Sequence, residues 1–191
     1  MSRIQPLEPP YASEVQQSFD KIMKGKEPLI LFRTIATSAR AWAKFRSGSL
    51  LDRGPLGLRD REIVINRTTA LANCEYEWGV HIAVYAKHAN LTDEQIVATR
   101  NERPDSPCWS HAEQALISAV DALHSRATLD QAEFDRLREN YDDAQVLEIL
   151  MLCGFYRTVS YVANALDLPL EPRGRRFPRS DRLGAVPAEQ S

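Results

Sequence analysis

The 191 residues, 43% hydrophobic and 26% charged with a net charge of −2, suit one soluble globular domain with room for a substantial core. That balance offers no electrostatic ground for a nucleic-acid or anionic-membrane partner. No apolar run approaches the roughly 20 residues of a membrane span, and the opening MSRIQPLEPPYASEVQQ lacks the apolar core of a secretory signal.

In chain order, eleven prolines divide the sequence into long proline-free segments, a distribution that predicts helices joined by short connections. Ser13 with Gln16 reads as a capping box opening SEVQQSFDKIM. EIVINRTTA, from Glu62, is rich in β-branched residues. A strand there would have no partner in the surrounding pattern, so the segment is predicted helical. Thr92 with Gln95, Ser110 with Glu113, and Thr128 with Gln131 supply three further capping-box patterns. After Ser110, the residues Ala112, Leu116, Val120 and Leu123 form one buried stripe. AQVLEILMLCGFYRTVSYVANAL is apolar around most of its circumference and reads as a central helix. From Pro169 onward the helical period is lost. Residues 1–168 are therefore read as a single helical domain, and 169–191 as an extended or mobile tail. The tail's five arginines suit solvent, or a clasp over a neighbouring subunit, better than an anionic partner.

The densest chemistry lies in LANCEYEWGVH, residues 71–81. If Asn73 caps a helix starting at Cys74, then Cys74, Glu77, Trp78 and His81 project from one face, and Tyr85 continues it a turn later. A first-turn cysteine feels the positive helix end, which favours thiolate. An imidazole beside it can move a proton near neutral pH. Glu77 can orient His81 or act as a base itself. Glu62 joins them only if its segment folds back as an antiparallel helix. Trp78 and Tyr85 read as walls of a substrate pocket. Against this, a lone cysteine is more often a small buried residue than a nucleophile, and Glu75 serves equally well as a solvated first-turn carboxylate. Cys108 and Cys153 read as structural. Three cysteines without a CxxC pair fit free thiols in a reducing cytoplasm. Glu77 and His81 have helical ligand spacing, but HExxH and a third ligand are missing, so no metal is expected. Glycine-rich phosphate loops and serine elbows are absent as well.

Glu62, eleven residues, Cys74, two residues, Glu77, three residues, His81: this spacing resembles the carboxymuconolactone decarboxylase-like superfamily, which includes the alkylhydroperoxidase D branch. The stretch LRDREIVINRTTALANCEYEWGVHIAVYAKHANLTDEQI is similar to the family core, over about residues 45–125. The resemblance implies an all-α bundle of about six to eight helices, assembling as a dimer, trimer or hexamer with sites near subunit interfaces. In the peroxidase branch the pattern is Glu, CxxC, His. Glu62, Cys74 and His81 match it, whereas Glu77 stands at the second cysteine and Tyr76 at that branch's intervening histidine. A carboxylate forms no disulfide, so the two-cysteine cycle is excluded at this site.

The decarboxylase branch instead needs proton delivery to carbon, for which Glu62, Glu77 and His81 supply groups and Tyr76 a hydrogen-bond donor. The leading expectation is cofactor-free decarboxylation, lyase or isomerase chemistry on a small carboxylated or lactone-like metabolite, with Glu62, Cys74, Glu77 and His81 as the working residues. The alternatives are a thiol peroxidase using Cys74 alone and a non-catalytic oligomeric helical binding protein.

Overall fold

The computed structural model describes residues 2–178. Among these residues the chain forms nine α-helices and no strand, slightly more helices than the resemblance implies. In order they are α1 (Ser13–Met23), α2 (Ile30–Ile35), α3 (Ala39–Ser47), α4 (Leu58–Leu71), α5 (Glu75–Tyr85), α6 (Asp93–Asn101), α7 (His111–Arg126), α8 (Gln131–Arg138) and α9 (Asp143–Ala165).

The β-branched segment is helical, as predicted, and its place in the fold explains why. In α4 every residue from Glu62 to Ala70 is buried, and the helix packs against α5, α6, α7 and α9. Tertiary burial overrides the modest helix propensity of Ile, Val and Thr. Several of its polar side chains are hydrogen-bonded locally or to neighbours. Asn66 Nδ2 donates to Glu62 O (2.7 Å), Thr69 Oγ1 donates to Ile65 O (2.8 Å), and Arg67 makes two 2.7 Å bonds to Asp121.

The central position thus belongs to α4 rather than α9. Although α9 is long and apolar enough by length and composition to cross a membrane, contrary to the sequence reading, Val146, Ile149, Leu152, Tyr156 and Val159 face the core. Its outer face leaves Leu147, Met151 and Tyr161 more than half exposed. The N-terminal helices add an aromatic layer in which Phe19, Trp42, Phe32 and Phe45 pack in succession onto Phe155 of α9.

Capping boxes at Thr92–Gln95 and Ser110–Glu113 form as expected. Two others do not. Ala12, without a side-chain cap, precedes α1, and α8 is capped by Asp130 with Glu133 instead of Thr128 with Gln131. A carboxylate acceptor, a better N-cap than a threonine hydroxyl, favours the second of the two overlapping patterns. A further box, Asp142 with Gln145, opens α9.

Residues 169–178 contain no helix, and part of this segment runs along α5 of the same chain. Arg175 N–H donates to Gly79 O (3.0 Å), Phe177 N–H donates to Glu75 Oε1 (2.8 Å), and the Phe177 ring packs on Trp78 at 5.1 Å between centroids. The rest of the expected tail, 179–191, lies outside the described residues.

Candidate functional site

The turn between α4 and α5 sets the site. Asn73 does not cap α5 from its N-terminal side; it ends α4. Its φ of 50° is left-handed, its N–H donates to Ala70 O (3.0 Å), and Cys74 N–H reaches back to Thr69 O (2.8 Å). These are the two bonds of a Schellman motif, and Asn tolerates the left-handed position better than most residues. Cys74 becomes the N-cap residue of α5. The tight reversal folds α5 back against α4, which is the condition on which Glu62 depended.

Glu62 and His81 accordingly meet, 2.8 Å apart at Glu62 Oε2 and His81 Nδ1. On the other ring nitrogen, Glu77 Oε1 stands 3.4 Å from Nε2. The imidazole therefore lies between two carboxylates, with Tyr156 of α9 edge-on at 5.0 Å and Tyr85 tilted against it at 5.2 Å. Burial by itself would lower the pKa of His81, but the adjoining Glu62 and Glu77 carboxylates outweigh it and raise it to about 9. His81 is an imidazolium at neutral pH, a proton donor rather than a resting base.

Cys74 is wholly buried on the same face of α5. Burial first, and then the Glu77 charge, push its thiol up to about 11, against the opposing pull of backbone N–H groups of Glu77 and Tyr76 and the hydroxyl of Ser160. The resting thiol is protonated. Two carboxylate oxygens, Glu62 Oε1 and Glu77 Oε2, are buried and receive no hydrogen bond among the described residues. Such acceptors are costly unless something else satisfies them. Glu62 Oε1 does face Arg61 Nε at 3.6 Å, an ion pair without hydrogen-bond length. No group of three or more His, Cys, Asp and Glu side chains among the described residues is arranged to hold a metal ion.

Of Tyr76, Trp78 and Tyr85, the three residues expected to meet substrate, Tyr85 packs on His81. Tyr76 and Trp78 have their polar atoms engaged elsewhere. The Tyr76 hydroxyl accepts from Leu31 N–H (2.9 Å) and donates to Glu171 of the C-terminal segment. Trp78 Nε1 donates to Thr99 Oγ1 of α6 at 3.0 Å. His88 is exposed. Cys153 is buried in α9, where desolvation pushes its thiol up to about 11, and Cys108 lies in the α6–α7 connection. His124 contacts Arg157 of α9.

The residues missed are Arg61, Tyr156 and Ser160. Arg61 adjoins Glu62 in sequence, which is a usable signal. Tyr156 and Ser160 lie one turn apart on α9, and nothing local says that this face meets α5.

Residues 36–122 match the Carboxymuconolactone decarboxylase family, beginning somewhat before the core read from the sequence. No curated protein matches. Among solved structures, an uncharacterized peroxidase-related protein from Silicibacter sp. TM1040 superimposes with a TM-score of 0.78 at 16% identity, covering 93% of this chain and 96% of its own. An uncharacterized peroxidase-related protein with an alkylhydroperoxidase AhpD core, from Ralstonia eutropha JMP134, gives 0.79 at 17% identity, covering 90% and 93%. The debrominase Bmp8, as a cysteine-to-alanine variant with 2,3,4-tribromopyrrole, gives 0.72 at 17% identity, covering 91% and 94%. At such identities these likenesses speak for the fold.

Proposed function

We propose, from the match of residues 36–122 to the Carboxymuconolactone decarboxylase family and a fold shared with alkylhydroperoxidase D-like proteins, that the chain is a member of that superfamily and that its buried Glu62–His81–Glu77 array carries out acid–base chemistry on a small carboxylated or lactone-like metabolite. The observation that carries this reading is the imidazolium clamped between two carboxylates, at 2.8 and 3.4 Å. In a decarboxylation, the bond from carboxylate to ring carbon breaks, CO2 leaves, and the electron pair passes to the adjacent unsaturated carbonyl as an enolate. His81 stabilises that charge and delivers its Nε2 proton to carbon. A proton from water then restores the imidazolium, passed along the Glu77 carboxylate beside Nε2. Glu62 holds the ring by Nδ1. The chemistry needs no group beyond the chain's own residues.

The test is to incubate the protein with 4-carboxymuconolactone and related unsaturated lactone acids in D2O and follow CO2 loss and carbon-bound deuterium by NMR. His81→Ala should lower turnover by about 10²-fold or more, while Cys74→Ser should retain most of it. Rapid hydroperoxide consumption with a thiol donor, lost in Cys74→Ser, would overturn the reading.

That last outcome defines the second reading, a single-cysteine thiol peroxidase. It is favoured by the backbone N–H groups of Tyr76 and Glu77 beside the Cys74 sulfur, which stabilise thiolate once the proton is removed. The thiolate would attack the peroxide O–O bond, releasing alcohol and leaving a sulfenic acid for an external thiol to reduce. The protonated resting thiol is why acid–base chemistry comes first.

We also propose that the chain self-associates and works in a reducing cytoplasm. The exposed Leu147, Met151 and Tyr161 on α9 support the first, and three free cysteines support the second.

A further inference from the structure

Arg61 occupies the first turns of α4, one residue before Glu62, and its guanidinium is held by one corner. Nη1 donates to the backbone carbonyls of Leu51 (3.1 Å) and Asp52 (3.3 Å). Those bonds pin the preceding loop and fix the head group's rotation. They leave the other edge of the fork, Nε with Nη2, without a hydrogen bond among the described residues, and Nε is buried.

That edge faces the site. Nε is 3.6 Å from the equally unpartnered Glu62 Oε1, and the Arg61 charge acts on both Tyr85 and Tyr156, the two rings packed on His81. Cys74 and Glu62 are wholly buried, and His81, Glu77 and Tyr156 nearly so; Arg61 and Tyr85 are the partly exposed members of the cluster. Of the cluster, these two side chains lie nearest to solvent.

A planar fork with two parallel N–H groups matches a carboxylate and holds it bidentately. With Glu62 and Glu77 negative and Arg61 and His81 positive, the formal charges of the four side chains cancel, so an entering anion meets no net repulsion. We propose that Arg61 is the residue that recognises the substrate's carboxylate, taking it side-on along Nε and Nη2 so that the reacting carbon is presented to His81. Loop pinning accounts for Nη1 and the 3.6 Å ion pair with Glu62 for the charge at Nε, but neither gives that edge a hydrogen bond among the described residues. The inference rests on the acid–base reading for what the pocket holds, but the anion site it assigns is separately measurable.

The experiment is calorimetric titration of the full chain with cis,cis-muconate, a small unsaturated dicarboxylate, and with its dimethyl ester. Wild type should bind the dianion and bind the ester roughly tenfold or more weakly. Arg61→Gln should lose a similar factor for the dianion. Arg61→Lys keeps the charge and a donor for the Leu51 carbonyl but not the fork, and should lose it too, with unfolding midpoints confirming that both variants fold. Equal binding of acid and ester, no binding of either, or variants within roughly threefold of wild type would overturn the proposal. His81-dependent deuterium incorporation with no Arg61 dependence sinks this inference and spares the acid–base reading; Arg61-dependent muconate binding without His81-dependent turnover does the reverse.

Discussion

Gly79→Ala probes how the C-terminal segment is tied to the helix that carries the site. A Cβ at position 79 would stand 2.2 Å from Arg175 O and 3.2 Å from that residue's C and N atoms. Backbone cannot swing aside as a side-chain tip would, so the segment must lift. Lifting it breaks the Arg175 N–H to Gly79 O bond, worth about 1 kcal/mol, and the Phe177 N–H to Glu75 carboxylate bond, worth about 1.5–3 kcal/mol. It also separates Phe177 from Trp78 (5.1 Å) and from the Arg100 guanidinium above it (4.5 Å), a further ~1–2 kcal/mol. Alanine returns about 1 kcal/mol of helix propensity, and the freed segment regains conformational entropy. The expected net loss is about 1–3 kcal/mol, in the range of a backbone-clash substitution. It would be read from the urea midpoint at unchanged slope, together with faster tryptic cleavage after Arg173, Arg175 and Arg176. In a chain ending at Leu168 the same substitution should change sign and stabilise, because only the propensity remains. A full-length Gly79→Ala protein that is more stable than wild type, with its arginines still protected, would refute the reasoning.

Four further outcomes are expected. His81 should titrate near pH 9 by imidazole NMR, and Glu62→Gln should move that midpoint down; a wild-type midpoint at the ordinary 6.5 would contradict the ion-pair geometry. Because its folded pKa is raised, the stability it contributes is complete below pH 6.5 and is lost as pH rises through about 9, so the urea midpoint should fall across that window in wild type and not in His81→Gln. Cys74 should show thiolate ultraviolet absorbance only toward pH 11, judged against Cys74→Ser, and at lower pH in Glu77→Gln, since the Glu77 charge is one of the causes of the shift; full ionisation at neutral pH would count against a resting thiol. Met151→Glu should reduce the mass measured by light scattering if α9 mediates self-association, and an unchanged oligomer would place the contact elsewhere.

Much of this protein is legible locally. Capping boxes at Thr92 and Ser110, proline spacing and apolar periodicity reflect interactions within a few residues of one another, so the all-helical class and the starts of α6 and α7 could be read directly. The spacing of Glu62, Glu77 and His81 likewise picked out two carboxylates that flank one imidazole, with Cys74 beside Glu77. Ambiguity arose where one side chain serves two local roles. Asn73 is acceptable as an N-cap and as a left-handed C-terminal residue, and only the return of Cys74 N–H to Thr69 O shows which it is. Thr128 and Asp130 begin overlapping patterns, and the helix took the second.

What tertiary structure alone decided is which faces meet. Tyr156 and Ser160 reach the site because α9 packs on both α4 and α5, and the Tyr76 hydroxyl is taken up because Glu171 returns from the far end of the chain. Arg61 presents an open fork because a loop some ten residues earlier holds its other corner. The sequence by itself determined the helices and the reactive residue types, since both depend on neighbours along the chain. The raised proton affinity of His81 and the protonated thiol depend on burial and on charges brought together from distant positions, and these exist only once the helices have packed.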